Sequence, residues 1–455
     1  LKDIYDNLKR GLFSKGSFIR NSTIFAGGSF LAYIVGFIFT PIITRIYLPE
    51  DYGAFAFFNT ILALTTSIST LNYSEALLIP KRTRDFYKLG ALVLVVSIMF
   101  SLLFTLVLLF FSEGILMHFE MSKISGLIYF IPFLIIISAF QKLADFYLIR
   151  RKRFAINSRS RIISVTTGKS AVAILGLTLG SSPNGLVVGE FIIRLVNLAS
   201  LLGKNIIRFP YKIIRSIRQH ELMSIARAYK NYPKYVFPAS VLLQISIHIP
   251  VFIISTFHSN ESLGFYSLAI TLLGLPIQVI GFSVGKVYFQ KANETFNQKG
   301  IDSLTNQIIL VFYGILIIAS LGYGVFFVFS EEIFLFIAGD TWKTSGTLAR
   351  VLSFAMVFQL IEIVIKPTYL ILNRQKRQLA ADLLASLIYM FILLIGAQYI
   401  TSLYELILLL SVSIFVRYLI SIVSILALIN SNSIKHAVLG TFLIISFFLL
   451  LSLIF

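Results

Sequence analysis

The chain has 455 residues, 57% hydrophobic and 13% charged, with a net charge of +19 and no cysteine. Its mean hydropathy of +0.88 lies outside soluble globular usage. The missing cysteines exclude disulfides, thiolate metal sites and a cysteine nucleophile, and the basic excess recurs in alternate turns, a pattern set by membrane topology rather than by nucleic acid.

Thirteen uninterrupted apolar stretches follow one another, each near the ~20 residues that a helix needs to cross hydrocarbon. They predict spans near 21–46, 53–79, 89–111, 125–148, 161–180 and 185–203. After a basic segment come spans near 235–257, 263–288, 306–329, 344–371, 380–398, 403–429 and 437–455. The run ending at Ile46 is too long for a cleavable signal peptide and lacks a small-residue cleavage pattern, so it reads as a retained first span. The fold class is an all-α polytopic membrane protein.

Basic residues crowd the N-terminal arm from Lys2 to Arg20 and recur at Lys81 to Lys88, Arg150 to Arg161, 204–234, Lys286 to Lys299 and Arg374 to Arg377. The intervening turns carry acids: Glu50, Asp51, Glu113, Glu120, Glu261, Glu331, Glu332 and Asp340. This positive-inside pattern places the N-terminus in the cytoplasm. The expected organisation is a six-helix lobe over 1–203 with a cytoplasmic amphipathic arm, a basic cytoplasmic linker over 204–234, a second six-helix lobe over 235–429, and one additional span over 430–455. In the linker, bases recur every three residues beside isoleucines from Tyr211 to Arg218, as in a helix lying on an anionic membrane surface.

The lobes resemble each other at one offset. Thr44 to Phe55 joins the first two spans, and the stretch 211 residues later, Ser255 to Tyr266, joins the seventh and eighth. Glu50 then falls on Glu261 and Gly53 on Gly264. Parallel repeats about an axis along the membrane normal suit a transporter that alternates access between two lobes.

Several stretches also carry a family resemblance. They are Thr40-Pro41-Ile42-Ile43-Thr44-Arg45 with Leu48-Pro49-Glu50-Asp51-Tyr52-Gly53, then Ala226-Arg227-Ala228-Tyr229-Lys230-Asn231-Tyr232-Pro233 through Phe237-Pro238. Further on are Gly264-Phe265-Tyr266-Ser267-Leu268 through Leu275-Pro276, Gly281, Gly285, Tyr288-Phe289 and Lys291-Ala292, and finally Gly339-Asp340-Thr341-Trp342. In order and spacing the chain resembles the bacterial polysaccharide (O-antigen, Wzx-type) flippases of the multidrug/oligosaccharidyl-lipid/polysaccharide exporter superfamily. That resemblance implies two six-helix lobes related by a pseudo-two-fold, in the V shape of the multidrug exporters, in a bacterial inner membrane. It implies an undecaprenyl-diphosphate-linked glycan as substrate, moved from the cytoplasmic to the periplasmic leaflet for O-antigen or capsule synthesis. Membrane lipids, a polysaccharide polymerase and chain-length machinery are the implied partners, and no cofactor or metal is expected. In the loop motif, Pro49 and Gly53 read as turn formers, and Glu50 as a residue that holds the hairpin or pairs with Arg45.

Charges at span depth are the candidates for mechanism, because hydrocarbon tolerates them only against a partner or a wet cavity. Lys169, Arg194 and Arg417 fall mid-span, Arg350 nearer the outer end of the tenth span and Lys366 lower on it. With the implied diphosphate, these five bases form the expected substrate-binding set. Glu75, Glu190 and Glu362 are the ion-coupling candidates, for H⁺ or Na⁺. The i,i+4 spacings of Glu190 with Arg194 and Glu362 with Lys366, and the i,i+3 spacing of Lys142 with Asp145, also suit neutralising pairs. Two other functions compete: a small-molecule exporter of the multidrug branch, and a membrane polysaccharide polymerase. The polymerase lacks a catalytic constellation on any sizeable loop, and the exporter of cations would favour acids at midplane.

Overall fold

In hydrocarbon the backbone must satisfy its own hydrogen bonds, and a chain of apolar runs this long does so as helices. The computed structural model describes residues 18–203, 208–430 and 433–454. It divides into two compact units, Leu1–Gln244 and Ile245–Phe455.

In the first unit the helices are α1 (Phe18–Ile46), α2 (Pro49–Ile68), α3 (Thr83–His118), α4 (Ile131–Arg150), α5 (Phe154–Leu179) and α6 (Pro183–Leu202). Two short helices follow, α7 (Arg208–Ile214) and α8 (Gln219–Ala228), and α9 (Phe237–Phe257) crosses the boundary between units. Helix α5 packs against α1 and α6, while α4 packs against α3 and α6. The second unit holds α10 (Asn260–Pro276), α11 (Phe282–Ala338), α12 (Lys343–Ile365), α13 (Thr368–Ile371), α14 (Gln375–Gly396), α15 (Leu403–Leu426) and α16 (Ile434–Ile454). Its centre is α12, which touches α10, α11 and α15. The additional C-terminal span, α16, packs on α11 and α15, with Phe448 edge-on to Phe327 and Phe354.

Eleven helical stretches among the described residues are long and apolar enough to cross a membrane. The difference from thirteen expected spans has two causes. Asn260–Ala338 is one 79-residue helical stretch that covers two expected spans, kinked at Gly300, where φ is 77° and glycine is the residue that adopts it without strain. The predicted span 53–79 is also interrupted: α2 stops at Ile68, and Leu71 and Asn72 take positive φ. The hydroxyls of Thr65 and Thr66 bond back to the carbonyls of Ile61 and Leu62, each at 2.7 Å, and Ser69 to Thr66 at 3.0 Å. Such back-bonding competes with the helix ladder, and asparagine tolerates the left-handed turn that follows. Helix α9 then pairs with this broken end, Ser240 donating to Asn72 Oδ1 at 2.8 Å and Gln244 to Ser67 Oγ at 2.7 Å.

The internal repeat extends to the element boundaries: α1 ends at Ile46 and α9 at Phe257, while α2 starts at Pro49 and α10 at Asn260. The two hairpins are closed differently. Ser259 caps α10 by accepting from the Ser262 amide. In the first unit Ser181, from the turn before α6, accepts from the Leu48 amide at 2.9 Å and donates to Asp51. Lys123, on the turn after α3, reaches Glu50 at 2.9 Å and Asp51 at 3.1 Å. The loop motif is thus a structural clasp in which Glu50 takes Lys123 as a partner and Asp51 is the buried member. Desolvation lowers the Lys123 pKa, but the hydrogen bonds and charges of Glu50 and Asp51 outweigh it and hold the ammonium above the usual lysine range. The stabilisation is complete below the ordinary lysine pKa of about 10.4 and is lost as pH rises through the raised value.

Glycine permits close helix contact at several places. At Gly168 and Gly189, α5 and α6 approach so closely that an added Cβ would lie 2.1 Å from Ile193 or 2.0 Å from Val172. At Gly346 it would lie 2.9 Å from the Ser330 carbonyl oxygen and 2.7 Å from the Glu331 Cα, backbone atoms that cannot turn aside. Gly346→Ala should therefore force α11 from α12 and destabilise the protein by about 1–3 kcal/mol, seen as earlier thermal unfolding of the purified protein. Asp51→Asn should lower the unfolding temperature more than Glu50→Gln, because only the first removes a buried carboxylate on which both Lys123 and Ser181 rely; equal shifts would contradict the clasp.

Candidate functional site

Each unit gathers charged and amide side chains on helix faces that would otherwise meet hydrocarbon. In the first unit the faces are legible as i, i+3, i+4, i+7 spacings: Ser138, Gln141, Lys142 and Asp145 on α4, and Glu190, Arg194 and Asn197 on α6. Arg194 is at the centre. Its Nε donates to Glu190 Oε1 at 2.8 Å and its Nη1 to Ser138 Oγ at 2.6 Å, while its carbonyl accepts from Gln141 Nε2 at 2.8 Å. Gln141 also donates to Asn197 Oδ1 at 3.3 Å, and Asn197 Nδ2 donates to Ser160 Oγ on α5 at 3.3 Å.

Lys169, on α5, forms no ion pair among the described residues, and Glu190 is the acid within its electrostatic reach. One carboxylate therefore serves two cations. Lys142 does not pair with Asp145 as its spacing allows. Its Nζ donates to the Thr66 carbonyl at 3.1 Å, a carbonyl beside the broken end of α2, and Glu75 is its acidic neighbour. Asp145 has Arg161 of α5 within electrostatic reach instead. Glu75 itself is exposed, on a turn at Tyr73–Ala76 whose other residues are buried.

In the second unit Lys366, at the end of α12, lies between two carboxylates, Glu362 at 2.8 Å and Asp382 of α14 at 3.1 Å. Ser421 of α15 adds a hydrogen bond to Glu362 at 3.0 Å. Glu362 is almost fully buried, 6% exposed at its side chain against 32% for Lys366, so the acid is the sealed member of the pair. Arg417 has no carboxylate within ion-pair distance among the described residues. Its guanidinium lies over Tyr389 at 5.4 Å and Tyr418 at 5.8 Å, and Tyr418 is also within electrostatic reach of Glu362, Lys366 and Asp382. Arg350 lies apart, over the Phe327 ring at 5.0 Å.

Lys169, Arg194 and Glu190 thus come together in the first unit, and Lys366, Glu362 and Arg417 in the second, while Glu75 lies at the edge of the first group and Arg350 outside the second. Sequence reasoning missed the polar supports Ser138, Gln141 and Asn197, whose heptad-like spacing was a usable signal. It also missed Tyr389 and Tyr418 as the seat of Arg417, for which linear spacing offers none. Among the described residues no group of three or more His, Asp or Glu side chains is placed to hold a metal ion. What both clusters offer is a set of charge-assisted donors that a phosphate oxygen would match as well as a carboxylate does.

Lys366→Met leaves the buried Glu362 and the half-buried Asp382 carboxylates without their shared cation and should lower stability by about 3 kcal/mol, the low end for a broken buried pair because Asp382 and the lysine side chain are partly exposed. Arg350→Met removes only a ring contact worth about 1 kcal/mol. Thermal unfolding of the two purified variants tests the order, and the reverse ranking would contradict it.

Comparison with known proteins gives a family and a fold. The family described as "Polysaccharide biosynthesis protein" matches residues 42–299, more than half of the chain. No curated protein sequence matches. Among solved structures, the chain is similar to the lipid II flippase MurJ in an inward closed conformation, with a TM-score of 0.65, 15% identity, and coverage of 94% of this chain and 98% of that one. It is similar to an inward-facing multidrug resistance MATE family transporter of the MOP superfamily, with a TM-score of 0.63, 14% identity, and coverage of 93% and 95%. A Vibrio cholerae MATE transporter, VcmN, follows with a TM-score of 0.53, 12% identity, and coverage of 94% and 99%. The all-helical membrane-spanning fold is shared with these flippase and transporter structures, and by the match over 42–299 the chain belongs to the polysaccharide biosynthesis protein family.

Proposed function

We propose that this multi-pass membrane protein is a flippase that moves undecaprenyl-diphosphate-linked oligosaccharide repeat units from the cytoplasmic to the periplasmic leaflet of the inner membrane. The family match supports a role in polysaccharide synthesis. The fold alone does not choose between a lipid flippase and a drug exporter, because the two neighbours are almost equally similar, at 0.65 and 0.63. Residue chemistry carries the choice. Lys169 shares its nearby carboxylate with Arg194, and Arg417 is seated on tyrosine rings without one, so cations at span depth are left short of counter-charge. A lipid diphosphate supplies that charge and accepts the donors these side chains present.

On this reading the first unit is the N-terminal lobe and the second the C-terminal lobe. The basic turns are cytoplasmic, and the two lobes alternate access while the prenyl chain stays in lipid. Arg194 exchanges Glu190 for the incoming phosphate, and the carboxylate released is the natural acceptor of a coupling cation; Glu362 is the counterpart in the second unit. Glu75, exposed in its turn, is the weakest of the three coupling candidates. A polymerase partner would take the repeat unit after release, and O-antigen and capsule are both compatible products.

Deletion of the gene should abolish the surface polymer while intact lipid-linked repeat units accumulate on the inner leaflet, measured by mass spectrometry of extracted lipids. Repeat units that reach the outer leaflet and stay unpolymerised would sink the flippase reading in favour of a polymerase. Arg194→Ala and Arg417→Ala should each cut complementation of the deletion at least about tenfold, the cost of a charge-assisted contact, at unchanged membrane level. Normal transport by both variants would rule out a phosphate role for these cations.

A further inference from the structure

Outside the membrane-buried clusters, the strongest concentration of charge lies where α3 begins. The basic segment after α6 is docked there: Phe209 and Ile213 are buried, 2% and 0% exposed, in one core cluster with Phe86, Leu89, Leu143 and Leu201. That anchoring fixes the bases beside them. Together with the first turns of α3 they enclose a cavity of about 480 Å³, within the range of small-ligand pockets.

Its lining carries six cations, Arg84, Lys88, Arg208, Lys212, Arg215 and Arg218, against a single acid, Glu221. Glu221 is occupied by Lys88 at 3.1 Å and Arg84 at 3.3 Å. The hydrogen bond from Lys88, with the surrounding positive charges, holds its carboxyl below the usual range. The other four cations form no ion pair among the described residues. Fixed like charges around one cavity repel one another until an anion enters. The same segment turns apolar side chains outward: Tyr211 is 60% exposed, Ile214 55% and Ile217 41%. An amphipathic segment with bases on one side and exposed aliphatics on the other suits the boundary of headgroups and acyl chains.

We infer that this cavity binds the phosphate of an anionic lipid headgroup, its acyl chains lying along Tyr211, Ile214 and Ile217. The site is separate from the cations at span depth and holds whether or not the transport reading does. The shared chemistry is phosphate, which a soluble anion also carries, and the exposed aliphatic side chains favour the lipid.

The test uses the full chain in neutral detergent, titrated with short-chain fluorescent phosphatidylglycerol and phosphatidylcholine and read by fluorescence anisotropy. Phosphatidylglycerol should bind at least about fivefold more tightly, and Arg215→Gln and Arg218→Gln should each cost about fivefold, the effect of one base at an anionic surface. Both side chains are exposed, and unchanged thermal unfolding of the variants verifies the fold. Glu221→Gln should strengthen binding by releasing Arg84 and Lys88. Equal affinity for the two lipids, or arginine variants that bind phosphatidylglycerol as wild type does, would overturn the site. Inorganic pyrophosphate should displace the phosphatidylglycerol probe. Pyrophosphate binding without a preference between the lipids would overturn the lipid assignment in favour of a soluble phosphate.

Discussion

Hydrocarbon offers a charged side chain no hydrogen-bond partner, and that constraint organises this protein above the level of its helices. Five cations at span depth have been given a substitute for water: Glu190 and Ser138 for Arg194, two carboxylates for Lys366, a carbonyl for Lys142, and aromatic rings for Arg417 and Arg350. These substitutes are unequal. A carboxylate neutralises the charge, whereas a ring face or a carbonyl dipole only solvates it. The residues solvated without neutralisation are those able to gain most from an anionic ligand, and the proposed role of Arg417 rests on that difference.

Polar supports of this kind need helices that approach closely and stay in register. Gly168 and Gly189 let α5 and α6 approach, and Gly346 does the same for α12 against α11. Without them the span-to-span distance would exceed the reach of a serine hydroxyl or an asparagine amide. Small residues and polar side chains are therefore one device, as is usual where apolar surface gains little from meeting other apolar surface. Outside the membrane the chain uses ion pairs for the same purpose, with Lys123 clasping Glu50 and Asp51 at the acidic end.

The broken end of α2 connects these themes. Its threonines and Asn72 stop the helix inside the first unit, and the Thr66 carbonyl there accepts from both Ser69 and Lys142. Irregular backbone is tolerated at such depth where protein or a polar cavity covers it, and α9 supplies cover through Ser240 and Gln244.

The sequence by itself determined the helical membrane class, the approximate spans and the hairpin repeat, because these depend on local hydropathy, turn residues and spacing along the chain. It also identified the Glu190–Arg194 and Glu362–Lys366 pairs, since i,i+4 neighbours on a helix are adjacent in any fold. Only the tertiary structure decided the rest. Asp382 joins Lys366 across Pro367 and a turn, Arg161 rather than Lys142 is the cation within electrostatic reach of Asp145, and Tyr389 of α14 carries Arg417 of α15. The basic segment expected to lie on the membrane also anchors itself by burying Phe209 and Ile213 in the first unit. Those partners sit on different helices, and which faces of two helices meet is fixed by packing, which no periodicity along a single helix encodes.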